Sequence, residues 1–258
     1  NWNDLTAAHE PKLENYKTDL DSLWTIKFTS GTTGTPKGVM LSHRSPATMM
    51  AVEKKTNWIG LYNVPEMRCL SYLPLNHVGE RIGMEMIVLA LGGTISFAES
   101  LDTFALNIRD TQPTFFFGVP RIWTKFYLGV INKMPLEKLD FVLSNPETAE
   151  KIKQQLRGGM GFSDLRIAAT GAAITPAFIK DFYKKLDIHL VEAYGMTEVC
   201  GSITNGVTLD TPQDSVGKAR PNAEVKIHKE TGEVLLKSPY VMMGYYKNPE
   251  KTAQVLVD

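Results

Sequence analysis

Apolar, β-prone runs alternate with stretches of helical periodicity along most of this chain, and that alternation restricts the fold more than any other feature. The runs at 23–30, 69–73, 94–97, 114–118, 165–170 and 188–193 are short and rich in β-branched or aromatic residues, and read as strands. Between them, 45–57, 78–91, 104–111, 121–132, 146–157 and 176–186 carry apolar residues at helical spacing. Strand, helix, strand in succession calls for crossover connections, which set successive strands parallel and lay helices over them. The expected fold class is therefore α/β, a mostly parallel sheet with helices on both faces.

Local signals support the helices. Thr175 before Pro176 predicts an N-cap with proline in the first turn, and Phe178, Ile179, Phe182, Tyr183 and Leu186 then form one apolar stripe. Ser144 and Glu147 have capping-box spacing. The polar stretch 133–163 reads as a surface excursion holding that single helix, and residues 1–21 as a polar, loosely ordered opening. Beyond residue 207 the texture changes, because Ala223, Val225 and Ile227 alternate with Glu224, Lys226 and His228. Thr231-Gly232 and a second run at 233–237 complete a β-hairpin. This divides the chain into an α/β region at 1–206 and the start of an antiparallel, β-rich subdomain at 207–258.

Composition narrows the function classes. The 258 residues carry 28 Lys+Arg against 28 Asp+Glu, so no net charge draws the chain to nucleic-acid phosphates, and no basic run interleaved with aromatics suggests otherwise. No nucleic-acid partner is expected. Apolar stretches fall far short of the ~20 residues that span a bilayer, which points to a cytoplasmic protein. The 2 cysteines, Cys69 and Cys200, have no metal-ligand spacing and read as buried thiols.

The most informative string runs from Thr29 through Ser30, Gly31, Thr32, Thr33, Gly34, Thr35, Pro36 and Lys37 to Gly38. Small hydroxyl residues and glycines let backbone N–H groups approach an anion, and Lys37 adds a mobile positive charge. The string reads as a triphosphate cradle. It is not the common P-loop, which would need glycine at Pro36 and a hydroxyl at Gly38.

This string resembles the signature loop of the adenylate-forming, AMP-binding superfamily, which includes acyl-CoA synthetases, peptide-synthetase adenylation domains and firefly luciferase. Further matches follow in the family's order. Val191 to Glu198, with Glu192, Ala193, Tyr194, Gly195, Met196 and Thr197 between, is similar to its core nucleotide motif. Gly171, Ala172 and Ala173 resemble its adenine-side loop, and the stretches 232–239 and 243–246 its later β-rich motif. The stretches 73–81, with His77, Glu80 and Arg81, and 118–126, with Gly118, Val119, Pro120 and Arg121, resemble long-chain fatty-acid acyl-CoA synthetases most.

The resemblance implies roles. Thr29 to Gly34 and Lys37 would cradle phosphates, Tyr194 would stack on adenine against the Gly171–Ala173 backbone, and Glu192 to Thr197 would complete the nucleotide site. Thr197, Glu198 and Lys37 would carry catalysis, with Glu198 holding Mg2+. His77, Gly118 and Val119 would lie on the acyl substrate, and Phe115 to Phe117, Trp123, Met84, Ile87, Val88 and Leu91 would be tunnel wall or plain core. Arg81 would pair with Glu80 or carbonyls.

The implied reaction is ATP-dependent activation of a long-chain fatty acid to acyl-AMP, then thioester formation with coenzyme A. Alternatives are an acyl-AMP ligase serving a carrier protein, and a non-catalytic nucleotide- or acyl-binding module. The family continues past the 243–246 motif into a Thr-Gly-Asp segment and a small C-terminal domain with a catalytic lysine. The chain is therefore expected to be a middle piece of its parent, inactive alone and prone to self-association, while the parent is open to peripheral membrane contact.

Overall fold

The computed structural model describes residues 2–7, 17–29, 35–206, 211–212 and 214–257. The elements in chain order are α1 (Trp2–Ala7), β1 (Leu23–Thr29), β2 (Lys37–Ser42), α2 (Arg44–Thr56), β3 (Arg68–Ser71), α3 (Val78–Glu80) and α4 (Ile87–Leu91). β4 (Thr94–Phe97), α5 (Phe104–Thr111), β5 (Phe115–Gly118), α6 (Pro120–Ile131), α7 (Leu136–Ser144), α8 (Pro146–Met160) and β6 (Ile167–Gly171) follow. The last are α9 (Ala177–Lys185), β7 (Leu190–Met196), β8 (Gly201–Asn205), β9 (Lys218–Ala219), β10 (Glu224–Ile227), β11 (Val234–Lys237), β12 (Gly244–Tyr245) and α10 (Pro249–Val255). A π-helical turn, Arg81–Met86, joins α3 to α4, so that 78–91 is one helical run with a widened middle.

The expected α/β architecture is present. The main sheet runs β5-β6-β7-β8-β9, with β5, β6 and β7 parallel and β8 and β9 antiparallel to their neighbours. β3 and β4 form a parallel pair, tied to the β5 end by the Thr114 N–H donating to the Arg68 carbonyl at 3.0 Å. β1 departs from the expected pattern. It pairs antiparallel with β2, and β2 pairs on its other side with β12, making a three-stranded sheet of its own. Gly38, which opens the apolar part of β2, is closely surrounded: a Cβ there would lie 3.0 Å from the Ile26 side chain, which would have to give way.

Period-two alternation gives β5, β6 and β7 two different faces. Phe116, Ala168 and Leu190 face a core shared with α6 and α9, where Trp123 makes edge contacts with Phe116 (5.3 Å) and Tyr183 (4.9 Å). Phe115 and Ile167, offset by one residue, belong to a separate cluster with Met84, Ile87 and Val88 of the 78–91 run. Helices thus cover both faces, as expected.

Several local expectations are corrected. The stretch 133–163 holds two helices, α7 and α8, because Leu136, Leu139, Val142 and Leu143 make a stripe that buries Leu139 in the core. α8 is capped by Asn145, whose side chain accepts the Glu147 N–H at 3.0 Å, while the Ser144 hydroxyl donates to the Phe141 carbonyl. Pro146 at the first helical position fixes the cap one residue later than Ser144. Thr175 is no N-cap either: its hydroxyl bonds that of Thr170 at 2.8 Å and its N–H donates to Glu192 at 2.8 Å, so α9 starts uncapped after Pro176. The opening contains α1, with Asp4 in its first turn, where an acid complements the helix dipole.

Cys69 and Cys200 are fully buried, and burial pushes both thiols up to about 12, far from a reactive thiolate. The expected hairpin is β10 and β11, in register from Glu224 opposite Lys237 to Ile227 opposite Val234. Among the described residues no helix is long and apolar enough to cross a membrane.

Candidate functional site

A cleft of about 260 Å³ lies over one face of the three parallel strands. Its floor is made by every second residue: Phe115 and Phe117 from β5, Ile167, Ala169 and Gly171 from β6, and Val191, Ala193 and Gly195 from β7. The roof is the 78–91 run, with Met50, Ile59 and Leu61 closing one side. Small residues on the β6 and β7 floor leave the space open. So does the roof at the π turn, where Gly83 faces the cleft and a Cβ there would meet nothing within 4 Å.

The strands end at the mouth of the cleft, where α/β sheets bind ligands. Ala172 sits there in the left-handed region at φ 66°, directly after Gly171. Gly195 lies at a register shift between β7 and β8, and a Cβ on it would fall 1.9 Å from the Gly201 carbonyl oxygen. Only glycine fits there.

Of the residues singled out from sequence, His77, Gly171, Ala172, Ala193, Gly195, Met196 and Thr197 line this cleft. Ala173 is exposed beside its mouth. Glu192 points the other way, its buried carboxylate paired with Lys180 and accepting the Thr175 N–H. Tyr194 is half-buried and packs on the cluster of Val39, Leu41 and Tyr245. Gly118 is buried under the Trp123 indole, with its Cβ position 2.8 Å from Nε1, and Val119 precedes α6. Thr29 and Lys37 are cross-strand partners in β1 and β2, while Ser30, Gly31, Thr32, Thr33 and Gly34 lie outside the described residues. Of the suggested tunnel wall, Phe115, Phe117 and Ile87 line the cleft, whereas Phe116, Trp123 and Met84 are fully or almost fully buried core.

His77 has two positions at once. Its Nδ1 accepts the Gly79 N–H at 3.0 Å, capping the helical run, while the side chain borders the cleft. Burial, and then the Lys27 charge, hold its pKa below the usual 6.5. Lys27 is itself buried, donating to the Leu75 carbonyl at 3.0 Å, and burial lowers its pKa. Arg81 pairs with Glu85 at 2.7 Å, one helical turn on, rather than with Glu80. Glu80 is fully buried, accepts the Leu73 N–H at 3.1 Å, and has its pKa raised by burial.

Close to the cleft mouth, Glu198 follows Thr197 in a 3-10 turn. Its Oε1 accepts the Tyr245 hydroxyl at 2.8 Å, and its backbone carbonyl accepts the Met242 N–H at 2.7 Å. The Lys37 ammonium stands 5.4 Å from the centre of the same Tyr245 ring. Burial, then Glu198, pushes the Tyr245 phenol up to about 12. Among the described residues no group of three His, Cys, Asp or Glu side chains gathers to hold a metal. A hard divalent cation here would therefore be bound by one carboxylate together with phosphate oxygens and water, and a half-buried Glu198 suits that arrangement.

Three residues of this region carry no sequence signal that would select them. Arg220 is 5% exposed and lines the cleft, donating to the Ser202 hydroxyl at 3.2 Å and standing 4.0 Å from the Glu53 carboxylate. Among the described residues its Nε has no partner, and neither has Oδ1 of Asn205, another cleft residue. Burial lowers the Arg220 pKa and raises that of Glu53. A single arginine before a proline shows no periodicity and no spacing. Tyr245 lies inside a recognised string, yet nothing in 243–246 distinguishes it from Tyr246.

Residues 2–246 match the family of AMP-binding enzymes. A long-chain-fatty-acid–CoA ligase from Drosophila melanogaster, heimdall, is 30% identical over 89% of this chain and 38% of its own length. A putative fatty-acid–CoA ligase from Mycobacterium tuberculosis, fadD11, is 28% identical over 92% of this chain and 48% of its own. The chain thus spans less than half the length of these relatives. Among solved structures, apo MatB from Rhodopseudomonas palustris superposes with a TM-score of 0.75 at 23% identity, covering 99% of this chain and 47% of that one. The A-PCP didomain of carboxylic acid reductase from Segniliparus rugosus, in complex with AMP, gives 0.73 at 28% identity, covering 96% and 34%.

Proposed function

The chain belongs to the AMP-binding enzymes, and from that premise we propose that it forms the nucleotide- and acyl-binding part of a ligase that activates a long-chain fatty acid with ATP and passes the acyl group to coenzyme A. The observation that carries this reading is the cleft: an apolar slot opened by Ala169, Gly171, Ala193 and Gly195 in its floor, whose mouth bears Gly171, Ala172, Gly195 and Thr197, with Glu198 and Lys37 alongside. An alkyl chain would occupy the slot, and the carboxylate and nucleotide the mouth. Heimdall and fadD11, by their names, act on fatty acids, which supports the acyl assignment.

In the first step a carboxylate oxygen bonds to the α-phosphorus of ATP and pyrophosphate leaves. Negative charge is already concentrated on the phosphates, so this chain contributes positioning and neutralisation rather than covalent chemistry. The Thr197 hydroxyl would donate to the α-phosphate, the Lys37 ammonium and the Thr29–Gly34 string would meet the outer phosphates, and Glu198 would hold a magnesium ion. When bound there, that ion would supply charge neutralisation on the phosphate oxygens. Gly171, Ala172 and Ala173 border the base, and His77, kept neutral by its surroundings, stands where the acyl carboxylate enters. In the second step the coenzyme A thiolate attacks the acyl carbon and AMP departs.

The test is binding, by calorimetry, of non-hydrolysable acyl-sulfamoyl adenosines of rising chain length, paired with product analysis of the parent enzyme. Affinity that climbs with chain length, and acyl-CoA from the parent, is the expected result. Equal affinity for AMP and every analogue would remove the acyl assignment. Acyl-adenylate accumulating without a coenzyme A thioester would place the chain with carrier-protein ligases, to which the carboxylic acid reductase likeness also points. Glu198→Gln should suppress adenylate formation at least tenfold while leaving the melting temperature within a degree or two, since the side chain is only half-buried.

A further inference from the structure

Lys37 and Glu198, on the reading just given, serve the same phosphates from opposite sides of the electrostatic problem, one as cation and one as seat for a cation. Two such side chains at one site attract each other, and a direct ion pair would cancel both. Tyr245 occupies the space in which that pair would form. Its ring lies under the Lys37 ammonium at 5.4 Å and its hydroxyl donates to Glu198 Oε1 at 2.8 Å. Lys37 makes no ion pair among the described residues.

We propose that Tyr245 is a positioning residue that holds the lysine and the carboxylate apart, so that both remain available to a bound metal–triphosphate. The ring face satisfies the ammonium without quenching its charge, as cation–π contacts do. The phenol satisfies one carboxylate oxygen as a neutral donor and leaves the other open.

The placement of the ring is well determined by the backbone. Tyr245 sits on β12 opposite Val39 of β2, two residues from Lys37 on the same strand. Its N–H donates to the Thr252 hydroxyl at 2.9 Å, and its side chain is 5% exposed. The segment around it is stitched to both partners: Met242 N–H to the Glu198 carbonyl at 2.7 Å, and Tyr246 N–H to the Gly38 carbonyl at 2.7 Å. Lysine, carboxylate and tyrosine thus come from three distant parts of the chain and meet at one ring.

The inference rests on the ATP-site reading, and the experiment separates the two. ATP affinity is measured by calorimetry on this chain, with magnesium and with EDTA, for wild type, Tyr245→Phe, Tyr245→Leu, Glu198→Gln and the double variant Tyr245→Leu/Glu198→Gln. Tyr245→Phe keeps the ring and loses the hydroxyl. It should leave metal-free affinity unchanged and reduce the gain from magnesium about tenfold, the effect of losing a hydrogen bond to a charged group. Tyr245→Leu removes the spacer and should weaken metal-free binding about tenfold as Lys37 collapses onto Glu198. Adding Glu198→Gln should restore that metal-free affinity, a recovery that a merely structural tyrosine would not give.

Failure of that rescue, or a Tyr245→Phe protein with wild-type magnesium dependence, overturns the inference while leaving the site reading intact. If wild type binds no ATP, or if Glu198→Gln keeps the full magnesium gain, the site reading itself falls and takes the inference with it. An NMR measurement independent of ligand accompanies these. The ring-current shift of the Lys37 ε-protons should persist in Tyr245→Phe and vanish in Tyr245→Leu, and its absence in wild type would also overturn the inference.

Discussion

The two faces of the β5–β6–β7 sheet are made from alternate residues of the same strands, yet one is closed and the other open. On the closed face Phe116, Ala168 and Leu190 interlock with Trp123, Phe162, Phe182 and Tyr183, all at or below 5% exposure. On the open face Ala169, Gly171, Ala193 and Gly195 stop short of the helical run above them, and the cleft remains. Parallel strands need apolar residues on both faces, so hydrophobicity alone does not separate a core from a binding wall. Side-chain size does, together with the local geometry of the covering helix: α6 and α9 pack as regular helices, whereas the roof of the cleft contains the π turn Arg81–Met86.

The largest effect should come from breaking the closed face. Trp123→Ala removes a fully buried indole that also donates from Nε1 to the Ala169 carbonyl at 3.2 Å. A loss of about 3–5 kcal/mol in urea unfolding is expected. Phe117→Ala, on the open face and only half-buried, should cost markedly less and act instead on ligand affinity. Equal costs for the two would mean that the cleft face is packed in solution as tightly as the core.

A sharper version uses adjacent residues. Ala168 is buried in the core cluster and Ala169 lines the cleft, so the same enlargement to leucine meets opposite surroundings one residue apart. Ala168→Leu should lose about 1–3 kcal/mol through overpacking. Ala169→Leu should stay within about 1 kcal/mol of wild type, because its added atoms enter open space, and should weaken acyl-adenylate analogues with long chains more than those with short ones. Gly83→Leu, projecting from the roof into the same space, should shift chain-length preference in the same direction at little cost in stability. Competition binding across a chain-length series checks both, and an unchanged preference in both would show that the alkyl chain lies elsewhere.

The closed face was largely legible in the sequence, because Phe178, Ile179, Phe182, Tyr183 and Leu186 repeat at helical spacing and Phe115 to Phe117 mark a strand. Of the candidate site, the residues at strand ends were legible through their motifs. Gly171, Ala172, Gly195 and Thr197 do stand at the cleft mouth. Glu192 lies in the same motif but on the other side of β7, since a strand shows only every second residue to one face and a motif read as a string does not say which, while Tyr194, at the register shift, packs on the cluster of Val39, Leu41 and Tyr245. Arg220 and Asn205 were not legible at all: they reach the cleft through the antiparallel pairing of β8 with β9, a long-range register with no local pattern. The cap of α8 shows the same limit on a smaller scale, since Pro146, not the Ser144–Glu147 spacing, decides where the helix begins.

The smallest effect concerns the His77 cap at the start of the roof. Neutral imidazole accepts the Gly79 N–H, and protonation of Nδ1 would turn that acceptor into a donor facing another donor. Burial and Lys27 lower the folded-state pKa below 6.5, so the folded protein takes up this proton at a lower pH than the unfolded chain does. The stability linked to neutral His77 is therefore complete above pH 6.5 and is lost as pH falls from there through the folded value. His77→Ala should cost about 1 kcal/mol near pH 7.5, the usual worth of a helix cap, and the gap between variant and wild type should close as the solution is acidified. Following the His77 Cε1 proton by NMR gives the titration directly. A midpoint at or above 6.5, or a stability gap that widens on acidification, would show that the cap is not what holds this end of the roof.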